Sequence, residues 1–292
     1  MTNPRIDYSS RLPKASWEHV ADLLTTARST NSADLLYKGE DGGVIVRVSP
    51  GIVVKSVPRD VTEEAIATRF VKANTTIPVP QIIDINDITS RAISMTECQG
   101  VTLGSCIADM TMIDLEYIAT QLHDFVVQMQ SLPLPKTSSD GHLGSITGGP
   151  YNNMLFPEFA PVSCPWTSIK DFYSYWYDIL TLSGPDSRPY ATEVIQGLPS
   201  DSPSVFTHGD LAPRNIMVDP SQRTITAILD WELTGWYPKY WEYCRMRDAG
   251  TSIPNSWNSK WDMVVHRVFQ REDSQFRVYS RLMTALRGCM AW

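Results

Sequence analysis

The segment Val205-Phe206-Thr207-His208-Gly209-Asp210-Leu211-Ala212-Pro213-Arg214-Asn215-Ile216-Met217-Val218, followed by Ile225-Thr226-Ala227-Ile228-Leu229-Asp230-Trp231-Glu232, is the most informative part of the 292-residue chain. Ile216 to Val218 and Ile225 to Leu229 are short apolar runs of strand type, and Asp219-Pro220-Ser221-Gln222-Arg223 between them is turn chemistry. The simplest pairing is an antiparallel hairpin. Centred on its loop, that hairpin sets Val218 opposite Ala227, Ile216 opposite Leu229, and Asn215 beside Asp230 with Cβ atoms roughly 5 Å apart. An amide oxygen and a carboxylate that close offer a seat for Mg²⁺, which takes a few oxygen ligands and leaves the rest of its shell to water and phosphate. Asp210, five residues before Asn215, can reach the same place from the preceding loop. Singly these residues also suit plainer roles, Asp210 and Asn215 as turn formers and Asp230 as a strand-end cap.

The chain around this segment changes character near Gly100. Before it, Val44 to Val48 and Ile52 to Lys55 are β-branched runs broken by Asp41-Gly42-Gly43 and Ser49-Pro50-Gly51, which predicts an antiparallel sheet. Gln81 to Ile85 and Ala92 to Thr96 add further strands, and Trp17 to Ala27 reads as a leading helix. Between the strands, Thr62 is placed to cap a helix with Glu63 and Glu64 in its first turn, ending before Ile77-Pro78-Val79-Pro80. After Gly100, Met112, Leu115, Ile118, Leu122, Phe125 and Met129 recur at steps of three and four and predict a long core-packing helix. Pro133 to Pro165 reads as a long surface loop, and Trp166 to Tyr177 as an aromatic cluster on a helix.

Composition narrows the function. Twenty-five Lys+Arg against 32 Asp+Glu give a net charge of −7, which argues against a nucleic-acid surface, because neutralising phosphates needs clustered cations. The five cysteines, Cys98, Cys106, Cys164, Cys244 and Cys289, are odd in number and irregularly spaced, so they are expected to be reduced and mostly buried. The first residues show no signal-peptide pattern and no apolar run is long enough to span a bilayer, so a cytoplasmic protein with no membrane and no obligate protein partner is expected.

His208-x-Asp210-x-x-x-x-Asn215 resembles the catalytic loop of the protein-kinase-like fold, and Asp230 falls where that fold carries its second metal-binding aspartate. Gly209 in place of arginine, Ile228-Leu229-Asp230-Trp231-Glu232, and Gly235-Trp236-Tyr237-Pro238-Lys239-Tyr240-Trp241-Glu242-Tyr243 resemble the aminoglycoside phosphotransferase (APH, phosphotransferase enzyme) family, in its fungal branch. The resemblance covers roughly residues 35 to 250. It implies an α+β, two-lobe fold: an N-terminal antiparallel sheet with one helix (1–99, nucleotide-binding, with the leading helix) and a larger, mainly helical C-terminal lobe (100–292, catalytic and substrate-binding).

By that resemblance the chain is an ATP- and Mg²⁺-dependent enzyme transferring the γ-phosphoryl group to a small-molecule hydroxyl. Asp210 is the base, Asn215 and Asp230 hold Mg²⁺, Lys55 neutralises the phosphates, and His208 braces the loop. Lys55 is to be fixed by a glutamate on the next helix. Glu64-Ala65-Ile66-Ala67 fits the family pattern and Glu64 is preferred, whereas helical periodicity turns Glu63 inward. Met95, Glu97 and Cys98 lie at the expected adenine-binding hinge. Gly39-Glu40-Asp41-Gly42-Gly43 departs from a glycine-rich phosphate loop by carrying two carboxylates. With no arginine beside Asp210, no phosphorylation switch is expected. Trp166 to Tyr177 together with Trp231, Glu232, Trp236, Trp241 and Glu242 can build a pocket for a cationic or hydroxylated acceptor, leaving aminoglycosides, choline-like amines, sugars and fungal secondary metabolites open. A catalytically silent kinase-like binding module, or a protein kinase, are the other readings.

Overall fold

The computed structural model describes residues 14–29, 34–40, 42–86, 89–135, 142–151, 155–157, 159–251, 255–269 and 273–290. Asp41 and the first residues therefore lie outside the described part, as does the side chain of Cys289.

Helix α1 (Lys14–Ser29) leads into a sheet of five antiparallel strands, β1 (Leu35–Lys38), β2 (Val44–Ser49), β3 (Ile52–Ser56), β4 (Ile82–Ile85) and β5 (Ala92–Thr96), in the order β1-β2-β3-β5-β4. Alternation explains its two faces. Val44, Val46 and Val54 pack under Val20, Leu24 and Ala27 of α1, whereas Val53, Ile93 and Met95 form a second cluster with Val61 and Ala65. The latter two belong to α2 (Thr62–Asn74) and the residue before it. Thr62 does not cap this helix: Val61 stands at the cap position with no side-chain cap bond, and the Thr62 amide donates to Asp60 Oδ1 at 2.7 Å.

The rest of the chain comprises β6 (Val101–Thr102), α3 (Leu103–Cys106), α4 (Met112–Gln130), β7 (Gly144–Ser145), α5 (Ile169–Thr181), α6 (Arg188–Gln196), β8 (Ser204–Thr207), β9 (Ile216–Asp219), β10 (Thr224–Ile228), β11 (Gly235–Pro238), α7 (Trp241–Thr251), α8 (Asn255–Val268) and α9 (Asp273–Met290). Thr111 and Asp114 close a reciprocal capping box at the start of α4. The predicted stripe of that helix is buried except at two positions: Met112 is exposed and Phe125 half-buried. One large apolar core joins α4, α5, α7, α8 and α9 and takes in Ala67 and Val71 of α2.

At its centre Trp241 stacks on Tyr237 with ring centroids 5.4 Å apart and meets Phe172 and Tyr279 edge-on at 5.5 and 5.2 Å. Of the predicted aromatic cluster, Phe172, Tyr173 and Trp176 are buried in this core. The expectation of mostly buried thiols is corrected: among the described cysteines only Cys244 is buried, Cys98 and Cys106 are half-buried, and Cys164 is exposed. Among the described residues no helix is long and apolar enough to cross a membrane.

Small sheets carry the site. β10-β9-β6 holds the hairpin, and β7-β11-β8 presents the segment entering His208. The hairpin forms, but in another register: Ile225 faces Val218, Ala227 faces Met217, and Ile228 faces Ile216. Thr226 is the extra residue, a β-bulge whose side chain turns out of the ladder and donates to Gln99 O at 2.6 Å. That contact meets the chain where it passes from β5 to β6. Here Gly100 has φ +100°, and a Cβ on it would come 2.3 Å from Val218 O.

Two stability measurements follow from this packing. Gly100→Ala should cost about 2 kcal/mol or more in urea unfolding, combining a strained backbone with a backbone clash. Trp241→Ala should cost about 3–5 kcal/mol by opening the aromatic core.

Candidate active site

Lys55, near the end of β3, is buried and reaches two carboxylates. Its Nζ lies 2.9 Å from both oxygens of Glu64 on α2, and 2.7 Å from Oδ1 of Asp230, 175 residues away. The structure thus selects Glu64 over Glu63, whose carboxylate instead accepts from Thr147 Oγ1 at 3.2 Å. Burial opposes the charge on Lys55, but Glu64, Asp230 and Glu232 outweigh it and its pKa is raised. Burial also pushes Glu64 upward, against the pull of Lys55, while for Asp230 the Lys55 charge and hydrogen bond overcome burial and hold the carboxyl below its ordinary range.

Asp230 adopts a left-handed conformation, φ 65° and ψ 62°, as the chain leaves β10 for a short 3₁₀ turn, Trp231–Leu233. A non-glycine residue in this region is held there by its surroundings. The same turn brings Glu232 to Arg59, whose guanidinium pairs with Glu232 Oε2 through both Nε, at 2.9 Å, and Nη2. Glu232 is therefore placed with Lys55 and Glu64 and not with an acceptor pocket. Oxygen atoms of Glu64, Asp230 and Glu232 lie within 4.8 Å of one another. Glu64 is engaged by Lys55 and Glu232 by Arg59, so Asp230 is the carboxylate of the three that suits a hard cation such as Mg²⁺.

The facing loop is built from hydrogen bonds. Asn215 ends a 3₁₀ turn begun by Pro213, and its Nδ2 donates to both the backbone oxygen and Oδ2 of Asp210 at 2.8 Å. With the amide nitrogen so committed, Oδ1 is the atom of Asn215 left for a cation. In the observed register Asn215 O accepts from Leu229 N at 2.8 Å, so Asp230 lies one residue past the predicted opposite position.

His208 links the two segments. Its Nε2 sits 3.0 Å from Leu229 O, its Nδ1 accepts from Asp210 N at 3.1 Å, and its ring packs on Trp231 with centroids 4.4 Å apart. Burial lowers its pKa, which favours a neutral ring with the proton on Nε2, the tautomer these contacts require. Gly209 has φ +81°, and a Cβ there would lie 2.6 Å from Leu233 O, so the departure from arginine is sterically imposed.

Arginines nevertheless reach Asp210 from elsewhere. Arg214 Nη2 lies 2.5 Å from Oδ2, and Arg245, on α7, places Nη2 3.4 Å from Oδ1 while its Nε donates to Gly209 O at 2.7 Å. Arg59, Arg214 and Arg245 escaped the sequence reading. Only Arg214 carried a signal, standing four residues after Asp210 in a turn.

The expected acceptor residues divide differently. Trp236 and Trp241 are buried in the core and line no open surface, because flat rings of that size fill the space between α5, α7 and β11. Glu242 is buried behind the loop, where Oε2 accepts from the amides of His208 at 2.6 Å and Gly209 at 3.3 Å. At the expected hinge, Met95 is buried between Val53 and Ile82, Glu97 is paired with Arg47 at 2.5 Å, and burial pushes the Cys98 thiol up to about 11. Glu40 in the predicted phosphate loop is exposed.

The sequence matches the Phosphotransferase enzyme family (APH) over residues 25–282. The chain belongs to this family. Solved structures agree with the family at the level of fold. A streptomycin–ATP–APH(2")-IIa ternary complex superposes with TM-score 0.57 at 14% identity, covering 99% of this chain and 94% of that one. A GDP and kanamycin complex of APH(2")-IIia gives TM-score 0.59 at 15% identity over 92% and 88%. The apoenzyme of macrolide 2'-phosphotransferase MphH from Brachybacterium faecium gives 0.52 at 18% over 92% and 89%. No curated protein matches the sequence. The α+β, kinase-like two-lobe architecture expected from the sequence is the one this family fold provides.

Glu242 gives this phosphotransferase fold a pH signature. Burial raises its carboxyl to about 7 despite the two amide donors, against an ordinary value of 4.5. A carboxyl raised in the folded state withholds its charge while the unfolded chain ionises, so stability is full below the unfolded pKa and falls as pH rises toward 7. Wild type should lose about 1–3 kcal/mol between pH 4.5 and pH 7.5 relative to Glu242→Gln, measured by urea unfolding at each pH.

Proposed function

We propose that the protein is a small-molecule kinase, transferring the γ-phosphoryl group of ATP to a hydroxyl acceptor. The supporting observation is the buried Lys55 held between Glu64 and Asp230, facing a loop in which Asn215 binds Asp210. Residues 1–99 serve as the nucleotide-binding lobe, with Met95, Glu97 and Cys98 lining the adenine hinge, and residues 100–292 carry the catalytic loop and the acceptor.

Lys55, oriented by Glu64, meets the nucleotide phosphates, exchanging its contact with Asp230 for phosphate oxygens. Asn215 Oδ1 and the Asp230 carboxylate would hold Mg²⁺, an ion that would supply charge neutralisation on the phosphates. Asp210 receives the proton of the acceptor hydroxyl as its oxygen bonds to the γ-phosphorus. The bond from that phosphorus to the bridging oxygen breaks, and its electron pair leaves on ADP. Neutral His208 keeps Asp210 and the Asp230 segment in register through its two ring nitrogens, acting as a brace.

Thermal melting with Mg²⁺ and ATP, separately and together, tests the reading. At 100-fold Kd the pair should raise the Tm of wild type by roughly 4 °C, and Asp230→Ala should lose the component that needs both. Asp210→Asn should keep the shift while kcat falls by about 10²–10⁴-fold in a coupled ADP-release assay. No shift in wild type at saturating ligand would sink the kinase reading.

A further inference from the structure

The charges around Asp210 say what kind of acceptor can approach it. Arg214 and Arg245 both engage its carboxylate, at 2.5 and 3.4 Å. Arg245 also lies 3.8 Å from Asp248, and Asp248 is held by Arg287 at 2.7 Å. The charges therefore alternate along a row, Arg214, Asp210, Arg245, Asp248, Arg287, that begins and ends on arginine and sums to one positive charge. Glu242, the acid behind this loop, is buried and turned into the loop amides, where it cannot meet a ligand.

Both ends of the row face solvent, Arg287 at 63% exposure, and Arg214 is the end that touches Asp210. Its side chain is 59% exposed and pairs directly with Asp210, itself 11% exposed, so a ligand at Asp210 has a guanidinium within reach. In a chain of net charge −7 this placement runs against the overall charge. A guanidinium offers a planar fork that matches carboxylate and phosphate oxygens in two parallel hydrogen bonds. A polycation would have to displace Arg214 from Asp210 and then sit beside it.

Resting on the kinase reading above, we propose that the acceptor is an anionic hydroxyl compound, one bearing a carboxylate or phosphate close to the reacting hydroxyl. Arg214 is the residue that selects it. The oxyanion pairs with Arg214, which releases Asp210 Oδ2 to take the hydroxyl. The same row disfavours polyamines of the aminoglycoside type, such as the streptomycin and kanamycin bound in two of the structures this fold resembles.

The test is isothermal titration of the full chain saturated with Mg²⁺ and a non-hydrolysable ATP analogue. The probes are gluconate, glycerate and glucose 6-phosphate as anions, glucose as the neutral control and kanamycin as the polycation. At least one anion should bind tenfold or more tighter than glucose and kanamycin. Arg214→Glu should weaken that anion at least tenfold, and Arg214→Lys should restore part of the loss. Binding of kanamycin or glucose as tight as that of the anions, no binding by any anion, or an Arg214→Glu variant that binds as wild type overturns the proposal. So does loss of the Mg²⁺–ATP thermal shift in Arg214→Glu, which would assign Arg214 to the nucleotide. The same thermal shift in wild type separates the two ideas: its absence there fails the kinase reading itself, while its presence with a failed titration removes only the anionic acceptor.

Discussion

The arrangement hangs on a buried lysine between two lobes. Lys55 comes from a strand of the N-terminal sheet, Glu64 from the helix packed on that sheet, and Asp230 from the far end of a hairpin in the other lobe. A buried charge left without partners is severely unfavourable, so each of these groups holds the others in place. Arg59 and Glu232 repeat the connection alongside, again joining the α2 side to the turn after β10. Two ion contacts between segments more than 170 residues apart thus set the separation of the two facing segments.

The loop from His208 to Asn215 is braced from two sides. A neutral imidazole joins Asp210 to Leu229, and a largely buried carboxyl, Glu242, satisfies two amides from behind. Neither needs to move a proton to act as a brace. Charged groups gather in two places, three carboxylates around Lys55 and the alternating row that starts at Arg214.

Much of this was legible in the sequence because it rests on local pattern. The β-branched runs, the turns at Gly42 and Gly51, and the periodic stripe of α4 follow from side-chain geometry alone. The hairpin from Ile216 to Ile228 was readable as well, but its register was not. Thr226 is drawn out of the ladder by the carbonyl of Gln99, a partner no local pattern reveals. The choice of Glu64 came from resemblance, and periodicity would have chosen Glu63. Trp236, Trp241 and Glu242 illustrate the opposite failure: residue types suited to a binding pocket are equally suited to a core, and burial decided between them. Arg245 reaches Asp210 from a helix 35 residues on, a distance at which sequence carries no signal without a fold.

Gly209 limits what the fold can become. With a positive φ and Leu233 O where a Cβ would stand, the position admits no side chain unless the turn after Asp230 moves. In the kinase-like catalytic loop this is the position whose arginine receives a phosphorylated activation segment. A single substitution at residue 209 therefore cannot give this protein that form of control. Acquiring it would require rebuilding the Trp231–Leu233 turn, and with it the backbone that presents Asp230, so this route to regulation is closed by the same geometry that shapes the site.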